Sequence, residues 1–509
     1  MAIRSMSSST TNNQKPGLEE LIPTYRQYHC LIASLIALCF YPFSTLDSIR
    51  YARAETARED TMVRASATAT RSQDGTAQAV RGGTGRGGRD TDIRSIYGTV
   101  RSRTKALTAA MSAEDQMVQS CPEASPMKWH QAHTTWFVET FVLRPFVKEY
   151  QPFREEFHWL FNSYYNSLRQ DIPDKSLRSV FSRPSLGEVL AFRAHVDHEM
   201  GIFLSAGADE EATRRVVLGL NHEEQHQELA LTDIKNAFFS NPLSPSYGTV
   251  PFSETKDPSL SELTWHTFDG GLVEIGHQLQ AGDPLDFCFD NETPRHNVFL
   301  EAFQIASREV TCREYLEFIS DDAYTRPEFW LSEGWDNVKR AAWQAPLYWR
   351  RDAGDETGWS VFTLMGWRGV STLLDTPVCH VSCFEADAFA RWRGCRLPTE
   401  AEWEHVASQE AVRGNLLETG RLHPTAARGD GIEQLFGDCW EWTASAYTGY
   451  PGYKPLPGAL GEYNGKFMSS QMILRGGSCA TPSRHMRATY RNFFSPATRW
   501  QFSGIRLAA

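Results

Sequence analysis

The stretch "NHEEQHQELALTDIKNAFF" (221–239) decides how this chain is read. His222 and His226 stand at i and i+4, so on a helix both rings leave one face about one turn apart. That spacing presents two imidazoles to a single ion. Neutral imidazole suits zinc, iron, copper and nickel. A third ligand then has to come from another helix. Upstream, "SPMKWHQAHTTWF" (125–137) offers His130 and His133, and His195 with His198 forms a rival pair. Glu223, Glu224 and Glu228 either support the ligands from behind or face solvent.

On both sides of this stretch the apolar residues keep helical spacing. Ile93, Ile96, Val100, Leu107 and Met111 mark a helix over 92–111. Ser125 and Pro126 fit a cap and first turn, followed by the stripe Trp129, Ala132, Trp136, Phe137 and Phe141. Further helices are predicted at 154–169, 185–206 and 209–240. Strand-like alternation is weak before residue 260. Residues 92–250 therefore read as an up-and-down helical bundle, and bundles build metal sites from side chains on facing helices.

From about residue 262 the texture changes. Gly, Pro and Trp become frequent and strands look short. "FDGGLVEIGH" (268–277) reads as a turn and a strand. "FQIASREVTCREYLEFI" (303–319) moves from strand to helix with Thr311 as N-cap. "CFEADAFARWRGCRLPTEAEWEHVA" (383–407) reads as two helices around a glycine break. The fold class is α+β multidomain: an extension at 1–91, the bundle at 92–250 and a mixed domain at 262–509.

Charge is uneven along the chain. Residues 1–105 carry 15 Lys/Arg against 9 Asp/Glu, and the remainder 36 against 53. An acidic folded body argues against nucleic acid as a partner, because such a surface needs a basic footprint. The apolar run "CLIASLIALCFYPF" (30–43) is short for a membrane span and closer to the apolar part of a signal sequence, so no stable membrane association is expected. The Arg-, Ala-, Thr- and Gly-rich stretch from about 53 to 92 cannot bury a core and is predicted to be disordered. The extension is either a targeting segment or dispensable, and the expected location is cytoplasmic or organellar. The ten cysteines lack a disulfide-framework spacing and read as reduced thiols. A zinc site at Cys379, His380 and Cys383 would lack a second ligand pair.

"SAEDQMVQSCPEASPMKWHQAHTTWFVETFVLRPF" (112–146), taken with the 221–239 stretch, resembles the DinB-like metal-binding bundle of the ergothioneine-biosynthesis sulfoxide synthases, the hercynine oxygenases. "GDCWEWTASAYTGYPGY" (437–453) and "ILRGGSCATPSRHMRATYRNFFSPATRWQFSGIRLA" (473–508) resemble the formylglycine-generating-enzyme (sulfatase-modifying) domain, which is C-type-lectin-like. A bundle followed by this domain is the arrangement of the sulfoxide synthases, and the resemblance spans roughly 92–509. It implies Fe(II) held by His133, His222 and His226, with half the coordination sphere left for reactants. It also implies the reaction: the sulfur of a thiol is joined to C2 of the hercynine imidazole and oxidised to a sulfoxide at the expense of O2. Bond formation and sulfoxidation together release the electrons that reduce one O2, so no flavin, oxoglutarate or nicotinamide is needed. The partners implied are small molecules: hercynine, O2 and either cysteine or γ-glutamylcysteine.

The same resemblance assigns roles. Tyr164 and Tyr165 in "FNSYYNSL" (161–168) match a tyrosine pair of the cysteine-using branch, and Tyr447 is the alternative proton donor. Gln225 and Asn492 match positions that hydrogen-bond hercynine. Phe493 and Tyr450 offer aromatic faces to its quaternary ammonium. Branches using γ-glutamylcysteine carry an Asp and an Arg at the positions of Phe494 and Thr498. Both are uncharged here, which points to free cysteine, with Arg178 or Arg183 of "KSLRSVFSRPS" (175–185) as the cation for its carboxylate. Conversion of cysteine to formylglycine needs a close cysteine pair near "GGS", and only Cys479 is present. The competing readings are an ovothiol-type 5-histidylcysteine sulfoxide synthase, a selenoneine synthase, and a non-catalytic lectin-like module with a structural metal.

Overall fold

The computed structural model describes residues 92–168, 171–248 and 262–509; the expected extension and its apolar run lie outside them. Helix α1 (Ile93–Thr108) opens on Asp92, whose carboxylate accepts from the Arg94 amide at 3.1 Å. Helix α2 (Met127–Val138) follows Pro126 and continues as a π-helical stretch, Glu139–Leu143. Helix α3 (Leu186–Ala206) starts at a capping box of Ser185 and Glu188. Helix α4 (Glu210–Ser240) is capped by Asp209. α2 packs on α3 and α4, and α1 packs on α4. Among the described residues no helix is long and apolar enough to cross a membrane.

The predicted helix at 154–169 does not form. Only Phe157–Leu160 is α-helical there. The Asn162 side chain accepts from the Tyr165 amide at 3.0 Å and donates to the Tyr165 carbonyl at 3.1 Å. Such local side-chain bonds compete with helix. The break sends the rings of Phe157, Phe161 and Tyr165 into the core and turns the Phe161 carbonyl towards α2.

The mixed part is a set of small sheets joined by short helices. β1 (Trp265–Phe268) pairs with β4 (Phe303–Ala306), and β2 (Gly271–Ile275) with β3 (His296–Leu300). β5 (Trp349–Arg351), β6 (Trp359–Thr363) and β7 (Gly366–Gly369) form an antiparallel meander. β8 (Trp440–Ala446), β9 (Met472–Arg475), β10 (Asn492–Phe494) and β11 (Ser503–Gly504) make a sheet in the order β10-β9-β8-β11. α5 (Cys312–Ser320), α6 (Ser332–Ala341), α7 (Cys383–Trp392) and α8 (Glu400–Ala407) lie between the strands. Three of them open on capping boxes, including Thr311 with Glu314. After β9 the chain turns at Gly476, where φ is +95° and a Cβ would stand 2.6 Å from the Leu435 carbonyl oxygen. Only glycine fits there.

The helical and mixed segments belong to one compact unit. α4 is one of the elements that join them. Glu228 accepts from Trp440 Nε1 at 2.7 Å, Ser478 Oγ at 2.5 Å and Thr481 Oγ1 at 2.6 Å. Further along, Lys235 Nζ lies 2.6 Å from His380 Nε2, with the rings of Tyr348 and Phe502 each 4.9 Å away. That contact also removes the zinc alternative. His380 Nε2 is engaged by a lysine, and among the described residues the only cluster of metal-ligating side chains lies elsewhere.

Candidate metal centre

His133 from α2 meets His222 and His226 from α4, and their ligand atoms all lie within 4.8 Å of one another. Ring centroids are 5.0 Å apart for His133 and His222, 4.9 Å for His133 and His226, and 4.5 Å for His222 and His226. These separations suit one ion with metal–imidazole bonds near ~2 Å. The rival His195 instead bonds the Gln151 carbonyl at 3.0 Å.

Each ligand is oriented differently. His133 donates Nδ1–H to the Phe161 carbonyl at 2.7 Å, and its ring stacks on Trp129 at 4.4 Å and Trp136 at 5.4 Å. His133 Nε2 and both ring nitrogens of His222 are buried with no hydrogen-bond partner. Leaving such groups unpaired costs about 1–3 kcal/mol each, and a bound cation would supply a partner to one nitrogen of each ring. Burial pushes the pKa values of His133 and His226 well below the ordinary histidine range, and that of His222 down to about 3. The imidazoles are therefore neutral and ready to ligate. Three neutral nitrogen donors fit Fe(II).

The acids around the histidines do not face solvent. Glu223 binds Arg101 Nη1 at 2.8 Å, Thr104 Oγ1 at 2.6 Å and Arg193. Burial works to raise its pKa, but Arg101 and Arg193 hold it down at about 2. Glu224 binds Arg484 Nε at 3.1 Å and Arg103 at 3.4 Å. These ion pairs, buried at Glu223 and reaching the surface through Arg103 and Arg484, fix the rotation of α4 about its axis and so aim the two histidines.

A cavity of about 480 Å³ opens beside the centre. His226 and His130 line it, while His133 and His222 lie one ring deeper. Gln225, Asn492, Phe493, Tyr164 and Arg178 all face this space, as do Phe494 and Thr498. Arg178 lies 3.4 Å from the centroid of Trp129 and donates to Ser125 Oγ at 2.8 Å and Ser163 Oγ at 3.0 Å. Burial pulls its pKa down.

Four expected residues do not reach the cavity. Arg183 is exposed and bonds the Ser182 carbonyl at 3.2 Å. Tyr165 packs behind Tyr164, its ring 4.8 Å from that of its neighbour and 5.3 Å from Phe141. Tyr447 stacks on Phe493 at 4.0 Å, and its hydroxyl accepts from Asn291 Nδ2 at 3.0 Å, so it supports the phenylalanine instead of facing a substrate. Tyr450 already has the Arg491 guanidinium 4.0 Å over its ring and the His296 ring 4.4 Å away, and its hydroxyl accepts from Arg475 at 3.0 Å, so it is engaged away from the cavity.

In their place stand residues that periodicity could not single out. Tyr463 lines the cavity, lies edge-on to His222 at 5.6 Å and donates to Gln225 Oε1. Tyr490 accepts from Gln225 Nε2 at 3.3 Å. Trp440 closes the same wall. Tyr463 comes from an irregular loop, where spacing carries no facing information.

Residues 256–509 match the FGE-sulfatase family, the Sulfatase-modifying factor enzyme 1-like domain. Fold and site thus define a class: a sulfatase-modifying-factor domain joined to helices that carry a three-histidine cluster. The Hercynine oxygenase of Mycolicibacterium smegmatis is 32% identical over 320 residues, covering 58% of this chain and 71% of the relative. The chain belongs to the hercynine oxygenase family and is an oxygen-dependent oxidoreductase. It is also similar to Ergothioneine biosynthesis protein 1 of Schizosaccharomyces pombe, at 26% identity over 46% of this chain and 30% of the relative. The Formylglycine-generating enzyme of Streptomyces coelicolor is 26% identical over 41% of this chain and 76% of its own length.

Proposed function

We propose that this protein is a sulfoxide synthase of ergothioneine biosynthesis that joins the sulfur of cysteine to C2 of the hercynine imidazole. In this reading 92–250 is a DinB-like bundle holding Fe(II) through His133, His222 and His226, and 262–509 supplies the facing wall. The observation that carries it is the histidine cluster, with its unpartnered buried nitrogens, set against a cavity lined by aromatics and one buried arginine. When bound, the iron supplies the redox chemistry that couples O2 reduction to sulfur–carbon bond formation and sulfoxidation.

The chain's own residues bind and orient. Gln225, held by Tyr463 and Tyr490, presents its amide to the hercynine imidazole, and Asn492 lies on the same wall. Phe493 offers its open face to the trimethylammonium. Arg178 is a buried guanidinium whose hydrogen bonds go to neutral hydroxyls, so a substrate carboxylate offsets its desolvation. Phe494 and Thr498 bring no charge, and the neighbouring Arg499 is turned away to Glu385 at 2.9 Å. That leaves no acid–base pair at these positions to grip a glutamyl group and favours free cysteine. Tyr164 faces the cavity with its phenol pKa raised by burial, so it keeps its proton for transfer.

The test is anaerobic loading with Fe(II), then O2 with hercynine and either cysteine or γ-glutamylcysteine, read by mass spectrometry. Hercynylcysteine sulfoxide is expected from cysteine, and His133→Ala should abolish it. No coupled product from either thiol would remove the assignment. Product from γ-glutamylcysteine alone would overturn only the choice of thiol.

A further inference from the structure

The three ligands differ in what stands behind them, and His226 has the most elaborate support. Its Nδ1 lies 2.8 Å from Nδ1 of His130, and His130 Nε2 lies 3.1 Å from Asp233 Oδ2. The same carboxylate oxygen accepts from the Ser125 amide at 2.8 Å. His130 and Asp233 are both buried, on α2 and α4. His133 has only a backbone carbonyl behind it, and His222 has no partner on either nitrogen.

The chemistry of these groups sets a direction. A carboxylate only accepts, so His130 Nε2 carries the proton that bonds Asp233. With that proton on Nε2, His130 Nδ1 is placed to accept, and His226 Nδ1–H is the donor. That leaves His226 Nε2 as the ligand atom and fixes the ring in one tautomer. We infer that His130 and Asp233 are a positioning pair that selects the ligating tautomer of His226 and raises its basicity. Outer partners of ligating histidines have this effect on metal affinity. The pair is tied to the cavity at its far end, because Ser125 Oγ accepts from Arg178 at 2.8 Å.

The inference rests on the metal-centre reading, and the experiment separates the two. Co(II) serves as the probe, with its affinity taken from competition with a chelator and its ligand field from visible absorption. His130→Leu removes the acceptor and should weaken Co(II) binding about 10–100-fold and shift the absorption band. His130→Asn places an amide oxygen near the position of Nδ1, so it should restore most of the affinity and the band. Asp233→Asn preserves shape, and should weaken binding in the same sense even if His130→Leu does not fold. Wild-type affinity and spectrum in a folded His130→Leu, or in Asp233→Asn, would overturn the pairing while leaving the metal centre intact. A wild-type protein that binds neither Co(II) nor Fe(II) would remove both readings.

Discussion

Tyr165 carries a fully buried hydroxyl whose one hydrogen-bonding neighbour is the Tyr164 hydroxyl. Tyr164, one residue earlier, opens on the cavity. The two phenylalanine substitutions should therefore part ways. Tyr165→Phe removes a buried hydroxyl held only by its neighbour and should change apo-protein stability by no more than about 1 kcal/mol. Tyr164→Phe should cut turnover by about 10²–10⁴-fold, the range for a lost general acid, with metal affinity unchanged. Chemical denaturation and steady-state rates read the two effects, and a large stability loss in Tyr165→Phe would mean its hydroxyl is held by more than Tyr164. At Arg178, Met should raise KM for cysteine far more than it lowers kcat, as expected for a residue that binds ground and transition states alike. At this scale the sequence was only half legible. The histidines could be read because a four-residue step on a helix dictates a shared face. Tyr447 and Tyr450 could not, because along an irregular "YTGY" turn nothing in the spacing tells which ring meets Arg491 and which lies under Phe493.

α4 shows how one element can carry two jobs. Its Glu223 is clasped by two arginines from α1 and α3, whereas Glu228 meets only neutral donors of the mixed part. Breaking a buried ion pair from one side leaves uncompensated charge and costs about 3–5 kcal/mol. Glu223→Gln should approach that loss in urea unfolding. Glu228→Gln keeps shape and one acceptor oxygen and should cost clearly less; equal losses would argue against charge pairing as the source. The long helices were readable as ranges: the segments expected at 185–206 and 209–240 both form, and the structure shows Ser185 and Asp209 capping them. The segment at 154–169 misled because its apolar spacing is real but serves packing in an irregular chain, with Asn162 satisfying the backbone in place of a helical turn.

Across the whole molecule, the ligand-bearing helix also serves as core for the sheet part. Over about four turns α4 runs from His222 through Glu228, which holds β8 and the "GGS" turn, to Lys235 against His380. Sequence texture drew a domain boundary near residue 262. Several of the contacts that join the two parts are buried polar groups on α4, which hydrophobic patterning does not report. A consequence follows for metal binding. An ion that binds only the folded state stabilises whatever unfolds together with its ligands. If α4 couples both parts, loading with Fe(II) or Co(II) should slow amide exchange in β8 and β9 as well as in α2 and α4, and removal by a chelator should reverse it. Hydrogen exchange with mass spectrometry reads each segment separately. Glu228→Ala, which removes three of the bonds from α4 to the sheet part while leaving the three histidines in place, should weaken the protection in β8 and β9 relative to that in the helices. Protection already confined there in the wild type would show that the two parts open independently and that the shared helix does not couple them.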